Sequence, residues 1–378
     1  MIKKKIFLSS PHMGGEEQRF IREAFDTNWI APLGKNVDEF ENAISKYLNI
    51  KRAVATVSGT SAIHMALKCA GVNKGDIVFC SALTFSASCN PIIYEGAIPV
   101  FIDSEENSWN MSPKALEKAF NIYRFNGKLP KAVIVVDLYG ESADFDSIKE
   151  LCREYNVTII EDSAEALGSK YKDKYCGSLG EYGVFSFNGN KIITTSGGGA
   201  IVSNNEEKMD KTKFWITQSR EKKRYYEHRE LGYNYRMSNI VAGIGRGQLK
   251  VLDSRIEKKR WIYNYYKEAL KDIKDVEMKP DSCYGKSNQW LSCILINKNS
   301  KVKPLDLILN LERECIEGRH IWKPMNMQPY YKKYDFISTN KGISVAEDIF
   351  SRGVCLPSDT KNTEEDMERI VKVIKRTF

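Results

Sequence analysis

KAVIVVDLYGESADFDSIKELCREYNVTIIEDSAEALG, residues 131–168, holds two apolar runs separated by an amphipathic one. From Ala132 to Val136 every side chain is apolar, as expected of a strand covered on both faces. DFDSIKELCREYN spaces its apolar residues three and four apart, which predicts a helix. VTIIED, 157–162, is a second buried strand, and it ends in acid. Strand, helix and strand in that order predict two parallel strands joined by a crossover helix.

The same alternation extends outward, from about residue 50 to 205. RAVATVS (52–58) reads as a strand. TSAIHMALKCAG reads as a helix, with Ala62, Ile63, Ala66, Leu67 and Ala70 on one face and Gly71 closing it. DIVFCS and IPVFID are strands on either side of a helix around ASCNPIIYEG. SPKALEKAF begins with Ser112 as N-cap and Pro113 at the first helical position. YGVFSFN and GGAIVSNN add two more strands. The expected fold is α/β, a mostly parallel sheet flanked by helices. The pattern changes near residue 236, where MSNIVAGIGRGQLKVLDSRIEKKRWIYNYYKEALKDI predicts one long helix or two joined ones. QWLSCILI and LDLILNLERECI then predict a strand and a helix of a smaller α+β unit. The expected division is a large domain, 1–250, and a C-terminal domain, 251–378. The alternate glycines of AGIGRGQ (242–248) lie inside a helical pattern and follow no strand, so they predict close helix packing, not a dinucleotide fingerprint.

The 378 residues are 42% hydrophobic, enough to bury a large core. Lys+Arg 57 against Asp+Glu 49 gives a net charge of +8. The basic runs at 221–224, 257–260 and near the end are mixed with acids or sit at helical spacing, so no nucleic-acid partner is expected. A modest positive field does suit an anionic ligand such as a nucleotide diphosphate. The nine Cys are scattered with no C-x-x-C, and the four His form no H-E-x-x-H, so neither a disulfide frame nor a metal site is expected. No stretch reaches membrane-spanning length and the first residues lack the apolar core of a signal peptide. The expectation is a soluble, cytoplasmic protein with no membrane partner.

Three elements carry chemistry. SGTSAIHM (58–65) is a strand end, a glycine turn and a helix start bearing hydroxyls. It fits an ordinary capped helix, and it equally fits an anion site made of free N–H groups and the helix dipole. Asp162 closes an apolar strand, where open α/β sheets carry ligand-binding groups; a helix N-cap is the alternative. Lys191, in FSFNGNKIITTSGGG (185–199), has no acidic residue near it in sequence. Either it is an exposed turn lysine, or it is an amine held among neutral polar groups so that its neutral, nucleophilic form is accessible. Taken together, an anion-binding helix start, a strand-end Asp and a lysine about thirty residues further on match the needs of pyridoxal 5'-phosphate. The Asp would keep the pyridine nitrogen protonated, and the Lys would hold the aldehyde covalently. Ser186, just past an apolar run, could add a phosphate hydrogen bond.

The sequence resembles the DegT/StrS family of pyridoxal-phosphate-dependent nucleotide-sugar aminotransferases, of fold type I. SPHMGGEE, NWIAPLG, SGTSAIHMAL, EDSAEALG, FSFNGNKIITTSGGG, GYNYRMSN and PSDT carry the resemblance over nearly the whole chain. Motif for motif it is most similar to enzymes that aminate C4 of a UDP-linked 4-keto-6-deoxy-N-acetylhexosamine on the route to bacillosamine. Perosamine synthases carry a similar GNK-I-TT core. The resemblance implies that Lys191 is the catalytic amine and Asp162 the partner of the pyridine nitrogen. It implies Thr60, Ser61 and Ser186 on the phosphate, Phe85 against the ring, and Glu165, one helical turn past Asp162, at the cofactor's edge. Asn234 would reach the phosphate of a neighbouring subunit, making a homodimer with shared sites. Trp29, Ile30, Asn188, Arg319, His320 and Trp322 are the implied nucleotide-sugar side, with L-glutamate as amino donor. Asn326, in PMNMQPYY, stands where many relatives have His, which bears on sugar or nucleotide preference. A 3-dehydratase of the same family would have His in place of Lys191, and a regulator on the same fold would not need the lysine, the Asp and the phosphate groups together.

Overall fold

The computed structural model describes residues 3–378. Eight strands form the large sheet: β1 Arg52–Thr56, β2 Ile77–Ser81, β3 Ile98–Ile102, β4 Ala132–Val136, β5 Thr158–Asp162, β6 Tyr182–Ser186, β7 Gly199–Ser203 and β8 Phe336–Ile337. Their spatial order is β1-β7-β6-β5-β4-β2-β3-β8. From β6 to β8 all neighbours are parallel. β7 departs from the parallel pattern and runs antiparallel to both β1 and β6. The reason lies in the connection: residues 187–198 hold no helix, so no crossover can form and the chain folds straight back.

Strand alternation splits the buried side chains between two layers. Ile134 and Ile160 pack with Ala62, Ile63, Ala66 and Leu67 of the helix Gly59–Cys69. Val133, Val135 and Ile159 point the other way, onto Leu116, Phe120, Ile148 and Cys152 of the helices Pro113–Phe125 and Phe145–Glu154. The same alternation sends Asp162 toward the Gly59–Cys69 side and Glu161 away from it.

The predicted long helix is two, Asn239–Leu249 and Leu252–Leu270, with the expected boundary at 250 in the joint. The three glycines of the first are contact points. A Cβ on Gly243 would meet Asn36, one on Gly245 the ring of Phe40, and one on Gly247 the backbone of Glu17. Beyond the joint lies an antiparallel sheet of Val276–Met278, Ser292–Ile296, Gly353–Leu356 and Arg319–His320. The division at 250 is crossed twice. β8 returns to the edge of the large sheet, and Ile6, from the N-terminal stretch, lies in the core of the C-terminal unit with its N–H bonded to Cys315 C=O at 2.9 Å.

β7 passes so close to the turn before the Gly59–Cys69 helix that Gly199 admits no side chain: a Cβ there would lie 2.4 Å from the carbonyl carbon of Ser58 and 2.5 Å from the N of Gly59. Backbone atoms cannot rotate away, so Gly199→Ala is expected to cost about 3 kcal/mol through overpacking. Gly197→Ala, where nothing lies within 4 Å, is expected to stay near the parent. Urea unfolding midpoints of the two variants check this, and equal midpoints would refute it.

Candidate active site

The carboxyl ends of β1, β2, β5 and β6 converge on one cavity of about 200 Å³. Its wall includes Gly59, Thr60, Phe85, Ser88, Asp162, Glu165, Ser186, Asn188, Lys191 and Trp322. Open α/β sheets bind ligands at this edge because strand ends and helix starts present unpaired polar groups there.

The start of the Gly59–Cys69 helix forms part of the wall. Ser58 Oγ accepts from Ser61 N–H, and Ser61 Oγ accepts from Ser58 N–H, both at 3.1 Å. The first intrahelical bond is Ala62 N–H to Ser58 C=O, so the N–H groups of Gly59 and Thr60 precede the ladder and are available to an anion. Gly59 has no Cβ, which lets Ser186 come alongside: a Cβ would lie 2.9 Å from the Ser186 Cβ. Thr60 and Ser186 line the cavity as expected. Ser61 does not. Its hydroxyl is committed to the capping box and also donates to Ser58 C=O at 2.7 Å.

Asp162, on the same wall, is 4% exposed. Ser88 Oγ donates to its Oδ2 at 2.6 Å and Ala164 N–H to its Oδ1 at 3.2 Å, an Asx turn with no helix after it. Thr84 Oγ1 is 2.6 Å from Ser88 Oγ, and this pair can run in either direction. Burial raises the Asp162 pKa, while Ser88, Ala164 and the nearby Lys191 pull it down. Glu165 follows in a turn, not the helix expected from its spacing. Tyr139 N–H donates to its Oε2 at 2.7 Å, and Trp322 Nε1–H to its Oε1 at 3.3 Å. Burial raises this carboxyl's pKa too, against the opposing charge of Lys191.

Lys191 departs from the sequence expectation. Its side chain is 12% exposed and its Nζ lies 3.4 Å from Glu165 Oε1, so the amine is paired with a carboxylate rather than held among neutral groups. The fold, not the local sequence, brings the two together: Glu165 arrives from the end of β5 and Lys191 from the β6–β7 loop. The ring of Trp290 lies on another side, 4.2 Å from Nζ. Phe85, 53% exposed, stands at the mouth with its ring centroid 5.3 Å from that of Trp322.

The remaining expected residues lie elsewhere. Asn234 is exposed and bonds only within its own segment, its Oδ1 accepting from Gln218 Nε2 at 3.1 Å. Trp29 and Ile30 are exposed, and Trp29 lines a separate cleft with Arg236 and Asn239. Arg319 and His320 sit exposed on an edge strand, away from the cavity wall, because their strand pairs with Gly353–Leu356. Asn326 is fixed by its Nδ2 donating to Glu347 Oε1 at 2.9 Å. Sequence reasoning missed Ser88, Thr84, Tyr139 and Trp290. The i, i+4 spacing of Thr84 and Ser88 beside Phe85 was a signal for the first pair. Trp290 gave none, since it reads as one more apolar strand residue.

The sequence profile of the DegT/DnrJ/EryC1/StrS aminotransferase family matches residues 11–375. The chain belongs to this family. It is 50% identical over 375 residues to EpsN of Bacillus subtilis (strain 168), covering 99% of this chain and 96% of that one; that protein's name assigns it to the pyridoxal phosphate-dependent aminotransferases. It is 35% identical over 376 residues to the GDP-perosamine synthase of Escherichia coli O157:H7, covering 99% of each chain. It is 38% identical over 305 residues, 79% of each chain, to the UDP-4-amino-4,6-dideoxy-N-acetyl-beta-L-altrosamine transaminase of Campylobacter jejuni (strain 81-176). Among solved structures, Helicobacter pylori PseC, an aminotransferase of pseudoaminic acid biosynthesis, superposes with a TM-score of 0.89 at 26% identity over 99% of both chains. The fold is that of the fold-type I aminotransferases, and the chain is a pyridoxal-phosphate-dependent sugar aminotransferase. The donor set fits that cofactor: N–H groups and hydroxyls for a phosphate, a buried carboxylate for a protonated ring nitrogen, and a primary amine, all on one cavity wall.

A carboxyl whose pKa is raised by folding is favoured in its protonated form, so its contribution to stability is lost as pH rises from about 4 through the folded value. Asp162→Asn removes that loss. The amide can keep the Ala164 bond, and the reversible Thr84–Ser88 pair can accept its N–H. At pH 7 without cofactor, the variant is expected to unfold on the order of 3 °C higher than the parent, with the gap closing toward pH 4. Thermal scans across that range check it; a variant less stable than the parent at pH 7 would contradict it.

Proposed function

We propose that the enzyme transfers an amino group from L-glutamate to C4 of a UDP-linked 4-keto-6-deoxy-N-acetylhexosamine. The observation that carries the aminotransferase chemistry is Lys191 Nζ on the wall of the same cavity as the buried carboxylate of Asp162 and the start of the Gly59–Cys69 helix. The UDP-sugar assignment is supported by the similarity to the Campylobacter transaminase and by the SFNGNKIITTSGGG wording. GDP-perosamine synthesis is the second reading, supported by a match to such a synthase that runs the length of both chains.

Pyridoxal phosphate, when bound, supplies an electron sink. The protein supplies the rest. Thr60, Ser186 and the first N–H groups of the helix hold the phosphate. Asp162, oriented by Ser88, keeps a proton on the ring nitrogen. Lys191 would carry the proton between the carbon that loses it and the carbon that gains it. Phe85, at the mouth, would pack against the ring and limit water. Asn188 and Trp322, on the cavity wall, would stand beside the sugar; Trp29, Ile30, Arg319 and His320 lie outside that wall and would meet the nucleotide only where it extends beyond the cavity. Val57 and Phe85 are exposed apolar residues at the mouth, and Tyr235 C=O accepts from Val57 N–H at 2.8 Å, setting the Asn234 segment beside them. That supports a homodimer in which Asn234 serves the partner's phosphate. Among the described residues no helix is long and apolar enough to cross a membrane, which is compatible with work in the cytoplasm.

The test is spectral. Loaded with pyridoxal phosphate, the protein is expected to lose its long-wavelength absorbance on addition of L-glutamate and to regain it with UDP-4-keto-6-deoxy-GlcNAc. Recovery with only a GDP- or dTDP-linked keto-sugar would replace the UDP assignment. Lys191→Ala is expected to lower turnover by at least ~10³-fold while the fold is kept. An active Lys191→Ala would overturn the mechanism.

A further inference from the structure

We propose that Trp290, tethered by Lys259, is a positioning residue that sets where the Lys191 amine points. The inference rests on Lys191 being the amine that meets the cofactor's aldehyde. Its ground is what lies around that lysine.

The Trp290 ring lies under the amine, its centroid 4.2 Å from Nζ. The same indole donates Nε1–H to Asn190 C=O at 2.9 Å. Asn190 immediately precedes Lys191, so one side chain fixes both the backbone from which the lysine leaves and the surface on which its amine rests. The Asn190 carbonyl has a second donor, Ser9 Oγ, also at 2.9 Å. Lys259 joins these two donors: its Nζ donates to Trp290 C=O at 2.9 Å and to Ser9 Oγ at 3.2 Å.

Lys259 is 2% exposed. Burial pushes its pKa down to about 7, against the charge of Asp359. An apolar side chain would fill this part of the helix Leu252–Leu270 with no desolvation penalty. What the lysine adds is its two directed bonds, which tie the N-terminal stretch and the C-terminal unit to the loop carrying Lys191. The indole has aromatic neighbours as well. Trp290, Tyr139 and Trp322 form a stack with centroid spacings of 6.2 and 6.1 Å, and Trp322 holds the Glu165 oxygen that pairs with Lys191. A cation over an indole face is stabilised by the ring's quadrupole, and indole is the best of the aromatic platforms.

The first readout needs no cofactor. The parent, Trp290→Leu, Trp290→Phe, Lys259→Met and Lys259→Arg are exposed to cyanate at fixed pH. Carbamylation of Lys191 is then followed by peptide mass spectrometry, with surface lysines as internal references. Losing the platform is expected to speed Lys191 labelling by about 3–10-fold in Trp290→Leu. A smaller rise is expected in Lys259→Met, and parent-like labelling in Lys259→Arg, which keeps the donors. In the loaded enzyme, kcat is expected to fall while KM for L-glutamate holds. Should Trp290→Leu fail to fold, Trp290→Phe decides: it keeps a ring but loses Nε1–H, so faster labelling supports the proposal. Unchanged labelling and unchanged kcat in a folded Trp290 variant would overturn it. Failure of the aminotransferase reading looks different: Lys191→Ala stays active, while the labelling pattern of the cofactor-free variants is unaffected.

Discussion

Asp137, Glu161, Asp162 and Glu165 are all buried at the carboxyl edge of the large sheet, where a low-dielectric interior tolerates a carboxyl only if donors or a shared proton meet it. Each has its own arrangement. Glu161 accepts from the N–H groups of Gly177, Leu179 and Gly180, which anchors the loop leading into β6. Asp137 lies beside it; burial, and then the charge of Glu161, raises its pKa, so it carries the proton of the pair. Ser163 Oγ donates to Asp137 at 2.6 Å, and Asp137 N–H donates to Asp162 C=O at 3.1 Å. The result is a strand end whose backbone is pinned on the face opposite the cavity. Asp162 can therefore be held within the cavity by only two donors without the end of β5 giving way.

The parts of this arrangement that local sequence could reveal are those set by periodicity. Apolar runs at 132–136 and 157–162 made the parallel core legible, and Ser112, Pro113 and the 58–61 turn marked helix starts that the structure contains. The antiparallel course of β7 was not legible, because nothing in GGAIVSNN encodes direction; only the absence of a helix in the preceding loop does. The site followed the same division. Asp162, Ser186 and Thr60 stand at strand ends and a helix start, so their positions follow from secondary structure. The pairing of Lys191 with Glu165 joins two loops whose separation in sequence hides their contact, and for that reason the lysine read as isolated.

Substrate identity was the least legible feature, for a physical reason. The residues expected on the nucleotide-sugar side, Trp29, Ile30, Arg319 and His320, are exposed and make few contacts within the chain. A side chain with few internal partners leaves its role to whatever binds it, so neither hydrophobic pattern nor packing constrains its meaning. Asn326 is the contrasting case. Its amide is fixed by Glu347, so a residue expected to tune the substrate is held by the protein itself.

The charged groups of the cavity already have partners within the chain, whereas the first N–H groups of the Gly59–Cys69 helix precede its ladder and stay available. Asp162 takes Ser88 and Ala164, Glu165 takes Tyr139, Trp322 and Lys191, and Lys191 rests on Trp290. For those charged groups binding is an exchange of partners, while a phosphate at the helix start meets free N–H groups. Asp162 gains most from it, because its two donors are neutral and a cationic ring nitrogen would relieve the cost of burying its charge. In the proposed role of Lys191 its amine would have to leave Glu165, whose carboxyl would then keep two neutral donors in a buried setting. That residual demand would favour return of the lysine to the same carboxylate.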